Sequence, residues 1–201
     1  MADPLEVATE EVVGWIVAAA RPRIVCSVAG ESGVGKTTLA LRCRQACDAH
    51  GLPATVLHQD DYFLLPPRQN HQARLDDLAQ VGEQEVDMVR LERDLAAFRG
   101  GAAELTIPTL DAHADRFAER SLDLSQLRVL FVEGTYVTGL SGIDLRVFVE
   151  GDPSSTSASR RARARDLIDD TTQRILAIEH RLIAPHRERA DRVFRQLSPS
   201  S

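Results

Sequence analysis

The sequence predicts an α/β fold, a doubly wound and mostly parallel sheet, and three observations carry that expectation. Short apolar runs of strand length, Ile24 to Ala29, Val129 to Val132 and Leu145 to Val149, are separated by stretches with helical spacing. The first run leads into Gly30-Glu31-Ser32-Gly33-Val34-Gly35-Lys36-Thr37, and a helical pattern follows at once. Two strand-like segments end in acids: Asp60 and Asp61 follow Ala54 to His58, and Glu133 follows Val132. Open α/β sheets hold ligands at that carboxyl edge.

The chain has 201 residues, enough for one well-buried domain and few for two, so a single domain over 1–201 is expected. Hydrophobic residues make up 43% and charged residues 27%, which excludes a disordered chain as the default. A net charge of −6 argues against a nucleic-acid-binding surface. The three cysteines, Cys26, Cys43 and Cys47, form neither a disulfide framework nor a zinc spacing, and the expected setting is a reducing cytoplasm. The start is acidic, and no apolar run approaches the roughly 20 residues of a membrane span, so neither export nor a membrane partner is expected.

Taken in order, Leu5 to Ala20 has the spacing of a helix, with Leu5, Val12, Ile16 and Ala19 on one face. Ile24 to Ala29 is a buried strand, and Thr37 to His50 the helix after the glycine-rich loop. That loop has the P-loop spacing, which answers the demands of a triphosphate. Glycines let main-chain N–H groups approach the phosphates, and the positive end of the following helix assists them. Lys36 would bridge the β and γ phosphates, and Thr37 would hold magnesium. Lys36 is the only lysine beside 23 arginines, and a planar arginine fork cannot replace a compact ammonium in a phosphate cradle.

Ala54 to His58 is the second strand. The carboxylate of Asp60, one strand after the P-loop, can reach the γ-phosphate region and take a proton from an acceptor hydroxyl; a capped turn is the other reading. Pro66 to Ala79 reads as a loop over the site, in which Arg68, His71 and Arg74 either contact an anionic substrate or are solvated. Glu83 to Phe98 reads as one helix with Val86, Val89, Leu91, Leu95 and Phe98 as core candidates. Leu105 to Pro108 is a short extended piece. After it, Asp111, His113, Asp115 and Arg116 could hydrogen-bond a polyhydroxyl compound or form a surface turn.

Val129 to Val132 is a buried strand that delivers Glu133 beside the P-loop, the Walker B arrangement, with a plain strand-end acid as the alternative. Leu145 to Val149 is another strand. A serine-rich stretch then leads into Arg160, Arg161, Arg163 and Arg165, expected to close as a lid over about 154–170, against a solvated helix face or an RNA-binding patch. Ile175 to Ile183 continues as a helix, Asp191 to Phe194 is an edge strand, and 197–201 is a polar tail.

With these segments in place, the chain resembles the uridine kinase and phosphoribulokinase group of P-loop kinases, which includes nicotinamide riboside kinases and one type of pantothenate kinase. The likeness is carried by Gly30 to Thr38, Gln59 to Phe63, Val132-Glu133-Gly134, Arg165-Asp166, and Ile183-Ala184-Pro185 with Ala190 to Val193, in order along the chain. The resemblance implies a nucleoside-kinase-like P-loop fold with an arginine-rich lid and an ATP-dependent, magnesium-dependent phosphotransferase. Asp60 takes the place of the base, Lys36 of the phosphate clamp, Thr37 and Glu133 of the magnesium partners, and Arg165 of the catalytic lid arginine. Glu31, Ser32, Gly33, Val34, Gly35, Lys36, Thr37, Thr38 and Arg161 are then expected around ATP, and Asp60, Tyr62, Arg74, Asp111 and His113 around the acceptor. Leu110 stands where the family commonly has an aromatic residue, and His113 follows Asp111 by two residues instead of four.

The expected activity is transfer of the γ-phosphoryl group to the alcohol of a nucleoside or a related riboside or vitamin, with pantothenate-like and sugar-phosphate acceptors left open. The rival is a P-loop ATPase or switch acting on a protein partner. The Asn-Lys-x-Asp motif of a GTPase is impossible with the one lysine at position 36. Oligomeric state is left open, a homo-oligomer included.

Overall fold

The computed structural model describes residues 3–111, 113–151 and 170–195. Five parallel strands form the central sheet in the order β2 (Ala54–His58), β5 (Val129–Gly134), β1 (Ile24–Gly30), β6 (Leu145–Glu150) and β7 (Arg192–Arg195). Each is followed or preceded by a crossover, so the short apolar runs of the sequence become strands buried on both faces.

Alternation along these strands sorts their side chains into two cores. Cys26, Val28 and Phe131 face a layer built with α1 (Pro4–Ala19) and α2 (Lys36–Ala49), which contributes Ala8, Val12, Val13, Ile16, Leu39 and Cys43. Val25, Ala29, Leu130 and Val132 face the other layer, where α4 (Met88–Arg99) brings Leu91, Leu95 and Phe98. Leu5 and Ala19 of α1 are only partly buried, and Ala8 and Val13 complete its inner face. The cysteines are buried in the first core as thiols, and burial pushes the Cys43 and Cys47 pKa values up to about 12, so they pack as inert apolar groups.

Three stretches differ from the sequence-based expectation. The proline-rich segment is a helix, α3 (Pro67–Asp76), started by Pro67, whose missing N–H costs nothing in the first turn. Residues expected as one helix from Glu83 split into a short 3₁₀ turn, Glu83–Glu85, a bridge between Val86 and Phe63, and then α4, N-capped by the Asp87 carboxylate that accepts from Arg90 N–H at 2.9 Å. Val89 consequently falls on the outer face and is 79% exposed. The extended piece near Leu105 is one half of an antiparallel hairpin, β3 (Glu104–Asp111) with β4 (Arg116–Asp123). The last helix, α5 (Asp170–Ile183), returns to the sheet ahead of β7. Among the described residues no helix is long and apolar enough to cross a membrane.

Candidate active site

The carboxyl edge of the parallel sheet collects the predicted chemistry. Gly30 ends β1 at φ 145, and a Cβ placed there would lie 2.3 Å from the Val149 carbonyl oxygen of the neighbouring strand. Only glycine lets the chain leave the sheet at that point. Val34 is 1% exposed and packs into the first core, so its side chain anchors the loop and only its main chain is left for a ligand. Lys36 begins α2 and donates from Nζ to the Glu31 carbonyl at 2.8 Å, which folds the ammonium back over the loop. Thr37 and Thr38 occupy the first turn of that helix.

Glu133 arrives from β5 in register with His58 of β2, at the ends of two adjacent strands. Its Oε1 accepts from Thr37 Oγ1 at 3.1 Å and from His58 Nδ1 at 2.7 Å. That hydrogen bond raises the imidazole pKa above its ordinary value, more than burial lowers it. Ser32, Gly33, Gly35, Lys36, Thr37, Thr38, Asp60, Glu133, Gly134 and Thr135 line one cleft of about 130 Å³.

Asp60 sits on a 3₁₀ turn, Gln59–Tyr62, directly after β2. Two buried contacts fix the turn. Gln59 is 1% exposed, accepts from Tyr136 N–H at 2.7 Å, and occupies the space that a Cβ on Gly134 would need, 2.3 Å from its own Cβ. Asp61 accepts from Leu110 N–H at 2.7 Å, tying the turn to β3. Asp60 keeps an exposed surface toward the cleft, yet its carboxyl is closely surrounded by protein. The surrounding protein governs its acidity: desolvation first, then the Glu133 charge, raise the pKa above the ordinary value, against the opposing pull of Lys36 and His58.

A second pocket of about 220 Å³ adjoins on the other side of Asp60, lined also by Phe63, Leu65, Pro67, Asn70, His71, Arg74 and Leu110. Its wall is organised by Glu85, 5% exposed. Both Glu85 oxygens receive the Arg74 fork, the second at 2.7 Å from Nη2, while Asn70 donates to Oε1 at 3.2 Å and Gly82 N–H to Oε2 at 3.1 Å. Arg74 also meets Glu179 of α5 at 3.1 Å, and the next residue, His180, reaches Glu31 of the P-loop with Nδ1 2.5 Å from Oε1.

One expected acceptor contact, Tyr62, is placed elsewhere. Tyr62 is 2% exposed and donates to Asp94 at 3.0 Å inside the core, so Phe63 is the aromatic residue of this pocket. Arg74 lines the pocket with its charge already shared by two carboxylates. Asp111 ends β3 and accepts from Ala114 N–H at 3.1 Å, with the Arg116 guanidinium 4.0 Å away, and His113 is exposed on the hairpin turn. Arg161 and Arg165, with Arg160 and Arg163 and the lid at about 154–170, lie outside the described residues except for the start of α5, and so does the 197–201 tail. The sequence assigned no role to Glu85 or His58, and it marked Gln59 only as the start of the Gln59 to Phe63 segment. His58 and Gln59 stand immediately before Asp60, at a strand's carboxyl end, and that position was the available signal.

Comparisons with known proteins bear on the fold. The chain is 32% identical over 169 residues to the bifunctional alpha-galactosidase/sucrose kinase AgaSK of Mediterraneibacter gnavus, a match that takes in 78% of this chain. The chain spans 18% of the length of that relative. A solved structure of a possible uridine kinase from Bacillus stearothermophilus superposes with a TM-score of 0.71 at 21% identity, covering 94% of this chain and 98% of the other. Phosphoribulokinase from Rhodobacter spheroides gives a TM-score of 0.68 at 21% identity, covering 87% and 70%. No family model matches the chain. The chain therefore has the α/β fold shared by uridine-kinase-like structures, phosphoribulokinase and related P-loop kinases.

Proposed function

We propose that this chain is an ATP-dependent kinase that phosphorylates a hydroxyl of an uncharged carbohydrate. The observation that carries the reading is the position of Asp60, which lines both the P-loop cleft and the pocket next to it. A triphosphate in the first and an alcohol in the second would meet at its carboxylate.

Asp60 would accept the proton of the acceptor hydroxyl as that oxygen attacks the γ-phosphorus and the bond to the leaving ADP oxygen breaks. Its raised pKa makes it a better proton acceptor than a surface aspartate. The P-loop N–H groups and Lys36 would hold the phosphates in line, so most of the acceleration comes from positioning and charge stabilisation. Thr37 and Glu133 offer hard oxygen donors to a magnesium ion. Such an ion, when bound, neutralises charge on the β and γ oxygens.

Two observations support a neutral sugar, the first against a phosphorylated acceptor and the second against the nucleoside expected from the sequence. Arg74, the guanidinium lining the acceptor pocket, is matched by Glu85 and Glu179 and has no full charge left for an acceptor phosphate. The relative at 32% identity carries sucrose kinase in its name. A coupled assay of ATP turnover over neutral sugars, sugar phosphates, nucleosides and pantothenate tests the reading. Stimulation by a neutral sugar alone is expected. Stimulation by a nucleoside or a sugar phosphate overturns the acceptor class, and ATP hydrolysis that no alcohol accelerates overturns the kinase.

A further inference from the structure

His58 belongs to no motif that the reaction above uses, yet it makes the shortest contact that Glu133 receives among the described residues. A carboxylate has only acceptors, so the hydrogen of the 2.7 Å contact is on His58 Nδ1, and the tautomer is fixed by its partner. The placement is a property of the sheet. β2 and β5 run parallel with His58 opposite Glu133, and adjacent strands about 4.8 Å apart put two such side chains within direct hydrogen-bonding reach. Glu133 itself is 6% exposed, and its Oε1 is held from two sides, by Thr37 and by His58. No described residue donates to its Oε2, so the two hydrogen bonds select one rotamer and leave the second oxygen for a ligand.

We infer that His58 is a positioning residue: it holds the Glu133 carboxylate in the orientation that presents an oxygen, beside the Thr37 hydroxyl, to a metal–nucleotide complex. The inference rests on the kinase reading above. Glu133, Asp60 and Lys36 line one cleft, so a carboxylate free to rotate would be drawn toward the ammonium and away from the Thr37 hydroxyl. His58 opposes that rotation from the strand on the far side. Partners that orient metal-binding side chains in this way are worth about 10-fold to 100-fold in metal affinity or activity when removed.

Asparagine carries its amide nitrogen on Cγ, where histidine carries Nδ1, so His58→Asn keeps a donor at the same reach while His58→Ala removes it. Manganese binding to the protein with ADP, followed by calorimetry, reads the metal site without turnover, and steady-state kinetics with the best acceptor read the reaction. Expected for His58→Ala are metal affinity and kcat both lower by about tenfold, an acceptor KM within about twofold of wild type, and an unchanged melting temperature. His58→Asn should recover most of both losses. Wild-type metal affinity in His58→Ala overturns the inference, and so does an equal loss in both variants accompanied by lowered thermal stability, which would make His58 a packing residue. If wild-type protein phosphorylates no alcohol, the kinase reading fails by itself, and the calorimetry still decides the role of His58.

Discussion

The two sides of the cleft are built by different means. On the nucleotide side, one run of chain, Gly30 to Thr37, supplies half of the lining through Ser32, Gly33, Gly35, Lys36 and Thr37. The main chain does the work there: Gly30 leaves the sheet where a Cβ would strike Val149, Val34 anchors the loop in the core, and α2 presents its N-terminus. On the acceptor side, the pocket is assembled from the Gln59–Tyr62 turn, α3 and β3, and its wall is held by Glu85 and braced by Glu179 of α5. On the proposed reading, the first construction would recognise a phosphate chain common to every nucleotide donor. The second can be rebuilt by a few side-chain changes, which lets related folds serve different acceptors.

The largest effect expected on either side is at the residue they share. Asp60→Asn should lower kcat by about 10²-fold to 10⁴-fold, the contribution of a positioned general base, while ADP affinity measured by calorimetry stays near wild type. A variant that turns over within tenfold of wild type would remove Asp60 from proton transfer and separate the two sides chemically.

Next is the brace of the acceptor wall. Glu85→Ala leaves the Arg74 fork in a partly buried site with Glu179 as its remaining carboxylate among the described residues, and breaking a buried pair costs about 3 kcal/mol or more. Denaturant unfolding should register that loss, and the acceptor KM should rise with little change in nucleotide affinity. Equal damage to both ligands would mean that the P-loop depends on the same brace, through the adjacent Glu179 and His180 contacts of α5.

This difference in construction also explains what the sequence disclosed. The strands β1, β2, β5 and β6 were legible because strands buried on both faces are continuous apolar runs, and the P-loop because its spacing encodes a local backbone path. The helix α3 was not, since Asn70 is its only buried residue and no apolar stripe marks it. The second strand of the hairpin is mostly exposed, with charged residues along its length, and shows no alternation to read. Val89 has the spacing of a core residue for a helix starting at Glu83, but the break at Val86 resets the helix phase and turns it outward. Tyr62 and Arg74 have the residue types of ligand contacts, and only the positions of Asp94 and Glu85, distant in sequence, show where their polar groups are directed.

A third test uses pH. The proposed base must be ionised, so kcat/KM should fall about tenfold per pH unit below the Asp60 pKa. Burial and the Glu133 charge raise that pKa, which moves the acid limb above the value near 3.9 of a solvated aspartate. A limb at or below the ordinary value would mean that the carboxyl is hydrated like a surface group, and that the cleft does not separate it from water.

The smallest effect is expected at the hairpin tip, where the extent of the acceptor side is still to be drawn. Asp111 is 42% exposed in its side chain, caps Ala114 N–H and has Arg116 at 4.0 Å, a separation at which an exposed ion pair contributes about 0–1 kcal/mol. If Asp111 also hydrogen-bonds the acceptor, Asp111→Asn should raise the acceptor KM by about threefold to tenfold, the value of one hydrogen bond, with the melting temperature unchanged. Arg116→Ala serves as the control, because it removes the ion pair and leaves the carboxylate in place, and its KM should match wild type. A KM unmoved in both variants would confine the acceptor side to Asp60, Phe63, Leu65, α3 and Leu110. A KM raised equally in both would assign the effect to the shape of the turn, since the only thing the two substitutions share is the Asp111–Arg116 contact.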